Sequence, residues 1–120
     1  MDKEKIAKDF EFLRQDEDVL AVLVFGSTVE GKEHDRSDID VCVVAPGREP
    51  WEVLKNIYPE VDTEGKNYDV HTFEEFGLRL KHRVMEDHEI LWARDRGKLG
   101  EYFYKYQKLW KDQAKARGVA

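Results

Sequence analysis

Two aspartates one residue apart, and a Gly-Ser pair ahead of them, are the residues of this chain whose types and spacing could do chemistry. Asp38 and Asp40 stand in Ser37-Asp38-Ile39-Asp40, which runs straight into the apolar stretch Val41 to Ala45. Side chains alternate along a strand, so both carboxylates project to one side with Ile39 on the other. Such a pair repels itself unless a proton or a cation lies between, and hard oxygen donors suit Mg²⁺ or Mn²⁺. Taken alone, Asp-x-Asp is equally a solvated strand end. Gly26-Ser27 lies ten residues before Asp38. A glycine lets the backbone turn tightly and a ligand approach, and a serine offers a hydroxyl and a backbone N–H to phosphate oxygens. At typical residue usage the four-residue pattern arises by chance in a chain of this length about once in a thousand.

Those residues need strands to hold them. Leu20 to Phe25 and Val41 to Ala45 are short, Val-rich and bounded by turn residues, which predicts two buried strands joined by a polar loop. Ile6, Ala7, Phe10 and Leu13 mark an amphipathic helix over 2–15, and the acidic run Asp16-Glu17-Asp18 reads as a solvated connection. Pro50 opens a helix over about 51–58, with Trp51, Leu54 and Ile57 inward, that Pro59 closes. Residues 60–66 read as an exposed loop or weak hairpin arm. Tyr68, Val70 and Thr72 favour a strand over 67–72, where Asp69 and His71 share a face. Thr72 to Glu75 forms a capping box for a helix reaching about Glu86, striped by Phe73, Phe76, Leu80 and Val84. A strand over 89–94 follows. The last helix, over 99–116, carries Leu99, Tyr102, Phe103, Tyr106, Leu109 and Trp110 on one face and lysines over much of the rest. That stripe either packs on the core or offers a partner a sticky surface.

A chain of 120 residues is one domain, with a core over about 20–95, and is too short for a separate substrate domain. Its net charge of −6 argues against nucleic acid as the main ligand. There is no apolar stretch near 18 residues and no signal-peptide core, so the expectation is a cytoplasmic protein without a membrane span. Cys42 reads as a small buried hydrophobe, and the histidines show no zinc-like spacing.

Gly26-Ser27, ten residues, Asp38-x-Asp40 resembles the signature of the DNA polymerase β-like nucleotidyltransferases, and the small size resembles their minimal members, the MntA-type antitoxins of HEPN/MNT toxin–antitoxin pairs. The resemblance spans roughly Leu20 to Asp95. It implies an α+β domain of two layers: a mixed, twisted sheet of four or five strands with helices mainly on one face and the site at one end of the open face. It also implies a third carboxylate from the strand after Asp-x-Asp, for which Asp69 is the best positional match; the alternative reading of Asp69 is a surface aspartate of an edge strand. In the implied scheme Asp38 and Asp40 hold two Mg²⁺ ions, Asp69 completes the acceptor-side ion and helps remove the proton, and Gly26 and Ser27 grip the β- and γ-phosphates of ATP. AMP would pass to a protein hydroxyl, a tyrosine of a small all-helical HEPN partner. The alternative is an antitoxin that binds nucleotide and silences its partner by contact, and a small-molecule acceptor is a third option; homo- or hetero-oligomerisation stays open. One departure stands out: many minimal members carry Ala-Arg-Gly a few residues after the Gly-Ser, whereas this chain has Val29-Glu30-Gly31, with Lys32 and Arg36 as the nearby cations.

Overall fold

The computed structural model describes residues 2–26 and 38–118. Ser27, Glu30, Lys32 and Arg36 therefore lie outside the described residues. Four strands, β1 (Ala21–Phe25), β2 (Ile39–Val44), β3 (Tyr68–Thr72) and β4 (His88–Ala93), form one sheet in the order β3-β2-β1-β4. β1 runs antiparallel to both β2 and β4, while β2 and β3 are parallel. The parallel pair needs a crossover, and α2 (Pro50–Ile57) supplies it. The mixed α+β sheet is thus the one expected, with four strands.

The helices are placed differently from the expectation. They cover both faces of the sheet, because the central strands are apolar on both sides: every residue of β1 and residues 41–44 of β2 are buried. Val22, Val24, Val41 and Val43 pack under α1 (Lys3–Asp9), the 3₁₀ turn Glu11–Gln15 and α2, through Ile6, Phe10, Leu13, Val53 and Ile57. The alternate residues Leu23, Phe25, Cys42 and Val44 pack under the 3₁₀ turn Phe73–Glu75, α3 (Leu78–Glu86) and α4 (Arg96–Ala116), through Phe73, Phe76, Val84, Leu99 and Phe103. Phe10 and Phe73, both fully buried, anchor the two layers. Truncating either to alanine should cost about 3–5 kcal/mol.

Two expected helices are interrupted. The N-terminal one ends at Asp9 and continues as the 3₁₀ turn, and the one opened by Thr72 breaks at Phe76 and Gly77, both extended, before α3 begins. The break lets Phe76 turn inward against Phe25, with ring centroids 5.8 Å apart. Helix α4 keeps its stripe only in part: Leu99 and Phe103 are buried, Tyr102, Tyr106 and Trp110 are half-buried, and Leu109 is exposed. The acidic connection is tied down by Arg48, whose guanidinium lies 3.3 Å from Asp16 and 3.1 Å from Asp18.

Candidate active site

The parallel register sets Asp40 of β2 directly beside Asp69 of β3. Both lie on the α3/α4 face, since Asp40 alternates with the buried Val41 of the opposite layer and Asp69 with Tyr68 and Val70. Asp38, exposed, stands just ahead of β2 and lines a shallow cavity of about 250 Å³ with Thr63, Glu64, Asn67 and Tyr68. The structure therefore brings Asp40 and Asp69 together and leaves Asp38 at the rim. Asp40 is half-buried and Asp69 exposed.

Gly26 closes the site from the β1 side. Its φ of +76° is the left-handed region, and a β carbon there would lie 2.4 Å from Oδ2 of Asp40. The turn favours glycine, and any side chain there would have to displace the Asp40 carboxylate. Phe25, paired with Asp40 across β1 and β2, and Phe76 form an apolar floor.

Partial burial raises the Asp40 pKa, and the neighbouring charges of Asp69 and Asp38 raise it further against the opposing pull of His71. A carboxylate whose ionisation is opposed first by burial and then by facing carboxylates is one a divalent cation would stabilise. The described residues contain no preassembled group of three or more His, Cys, Asp or Glu side chains around one point. The fit to Mg²⁺ or Mn²⁺ rests on the oxygen donors of Asp40 and Asp69 with Asp38 adjoining, a donor set for hard cations.

His71, also on this face, has Nε2 3.1 Å from Asp69 Oδ1 and Nδ1 2.8 Å from Glu75 Oε1. Burial works against its charge, but the hydrogen bonds and charges of Asp69 and Glu75 prevail and hold its pKa above the usual histidine value. Sequence reasoning placed His71 on the Asp69 face without seeing this bridge. The signal was the i,i+4 spacing of His71 and Glu75 across the strand end. Deeper in the same layer, Glu74 accepts hydrogen bonds from the Ala45 N–H (3.0 Å) and the Tyr102 hydroxyl (2.9 Å), tying β2 to α4.

A small mixed sheet thus sets a glycine turn against one carboxylate and a second carboxylate in register beside it. Residues 4–97 match the family model "Polymerase beta, Nucleotidyltransferase", and the chain belongs to that family. A Methanocaldococcus jannaschii protein named "Putative protein adenylyltransferase MJ1547" is 34% identical over 98 residues, covering 81% of this chain and 74% of that protein. Among solved structures, a chain of a toxin–antitoxin crystal structure with AMP-PNP superposes with a TM-score of 0.70 at 22% identity, covering 99% of this chain and 94% of the other. A chain from the complex of a tri-AMPylated Shewanella oneidensis HEPN toxin with an MNT antitoxin gives a TM-score of 0.64 at 18% identity, covering 98% and 90%. At these identities the two structures share the fold.

Proposed function

We propose that this protein transfers AMP from ATP to a tyrosine hydroxyl of a small helical HEPN-type partner and acts as that partner's antitoxin in the cytoplasm. The observation that carries the reading is the registered pair Asp40 and Asp69 with Gly26 closed against Asp40. The matched relative bears the name of a protein adenylyltransferase, and the fold is shared with chains of toxin–antitoxin complexes, one containing a tri-AMPylated HEPN toxin and one with AMP-PNP.

In this reading Asp38, Asp40 and Asp69 would hold Mg²⁺, which when bound would neutralise charge on the triphosphate and lower the pKa of the acceptor hydroxyl. The Gly26 turn, followed by Ser27, brings backbone close to the β- and γ-phosphates. Asp69 takes the proton from the acceptor hydroxyl; the freed oxygen bonds to the α-phosphorus, the bond to the β-phosphate bridging oxygen breaks, and pyrophosphate leaves.

Mass spectrometry of a small helical HEPN-type protein co-expressed with this chain tests the reading. Wild type should add AMP to a tyrosine, and Asp69→Asn should retain ATP binding while slowing transfer about 10²–10⁴-fold. A partner silenced but unmodified by both forms would replace the enzyme with the contact antitoxin. That second reading is favoured by one feature, the groove of about 250 Å³ between α3 and α4 lined by His82, Tyr104 and Trp110.

A further inference from the structure

The bridge from Glu75 through His71 to Asp69 adjoins the carboxylate pair, and the reaction as described does not use it. Each ring nitrogen of His71 meets a different carboxylate, Nε2 that of Asp69 at 3.1 Å and Nδ1 that of Glu75 at 2.8 Å. Glu75 is itself fixed, because its Oε1 also accepts the Thr72 N–H at 3.2 Å. Thr72 and Phe73, which flank this bond, are fully buried. The Phe76 ring lies against the imidazole, with centroids 5.4 Å apart. A rigid path therefore leads from the buried layer to a carboxylate that is otherwise half in water, the Asp69 side chain being 49% exposed. Ion pairs this exposed add little to stability. What the path adds is orientation: a free aspartate on an edge strand rotates among several rotamers, and each must be given up before it can serve a reaction.

We propose that His71 is the positioning residue of the site. It engages Asp69 through Oδ1 alone, holding the carboxylate in one orientation beside Asp40 and leaving the second oxygen for the divalent cation and the acceptor hydroxyl; Glu75 fixes His71 in turn. Outer partners of this kind commonly govern the metal affinity and activity of the carboxylates they hold. The inference rests on the nucleotidyl-transfer reading above.

The test is Mn²⁺ binding without nucleotide, followed by electron paramagnetic resonance, for wild type, His71→Ala, His71→Gln and Asp40→Asn, together with steady-state AMP transfer at varied ATP. His71→Ala should weaken Mn²⁺ binding about 10-fold or more and lower kcat by about 10–100-fold, with KM for ATP little changed. His71→Gln, whose amide can still donate to Asp69, should recover part of both losses, and the melting temperature of both variants should stay near wild type. Wild-type or tighter Mn²⁺ binding in His71→Ala, with Asp40→Asn impaired, overturns the positioning role and leaves the transfer reading standing. Wild-type Mn²⁺ binding in Asp40→Asn as well overturns the transfer reading and this inference with it.

Discussion

A β carbon on Gly26 would lie 2.4 Å from Oδ2 of Asp40, closer than any real contact of that kind. The turn that ends β1 and the carboxylate that opens β2 are thus fitted to each other, and a side chain added at Gly26 would have to displace that carboxylate. Gly26→Ala should cost about 1–3 kcal/mol from the left-handed backbone. It should also push Asp40 from its place, so that ATP binding in the presence of Mg²⁺, measured by calorimetry, falls well beyond what the lost stability explains.

Asp40 carries an electrostatic penalty that a cation should remove. Its folded pKa lies above the ordinary 3.8, first from burial and then from Asp69 and Asp38. The folded state therefore holds that proton more tightly than the unfolded state. Stability from this group is fully present below pH 3.8 and is lost as pH rises through the folded pKa. At neutral pH without divalent ions, Asp40→Asn should melt above wild type, and the gap should close as pH falls through the raised folded pKa and below 3.8, where the carboxyl is protonated in both states. Mg²⁺ should raise the wild-type melting temperature and leave that of Asp40→Asn unchanged.

Tyr102 and Glu74 join α4 to the sheet. Burial is the main cause of a raised Glu74 pKa, opposed by the Ala45 N–H and the Tyr102 hydroxyl. Tyr102→Phe leaves that carboxylate with the Ala45 N–H and without its hydroxyl partner. The loss should be about 1–3 kcal/mol in urea unfolding. Transfer activity per folded molecule should be unchanged, because neither residue is among the carboxylates of the site.

The α4 stripe divides between core and surface. Tyr106 packs on Phe73 with centroids 5.7 Å apart, whereas Trp110 stacks on His82 at 4.3 Å beside an open groove. Replacing Trp110 by Ser should weaken assembly with the helical partner by about 10-fold or more, as for an aromatic hot spot, and shift melting little. Replacing Tyr106 should lower the melting temperature first. Gel filtration and thermal melts of the two variants separate these outcomes.

Much of this was legible in the sequence, for identifiable reasons. Strands β1 and β2 announced themselves as unbroken Val-rich runs, and the period of two placed Asp69 and His71 on one face before any register was known. Unbroken apolar runs also imply cover on both faces, yet the helices read as lying mainly on one, because a stripe on a helix says that it packs and not on which side. The pairing of Asp40 with Asp69 depends on the β2 to β3 register, which local pattern does not encode. Nor does it encode the break at Phe76 and Gly77, where an aromatic seat on Phe25 overrides a helical period. The contact between Gly26 and Asp40 lies in three-dimensional space alone.

Helix α4 has 21 residues, and its buried anchors, Leu99 and Phe103, lie within its first eight. A helix of this composition does not nucleate cheaply in water, and most of its hydrogen bonds beyond the packed turns persist only by propagation from them. Its backbone amides should therefore exchange in a gradient, slow near Phe103 and quickening toward Ala116. The far end is the part of the molecule whose order a second protein could change at the least cost to the rest.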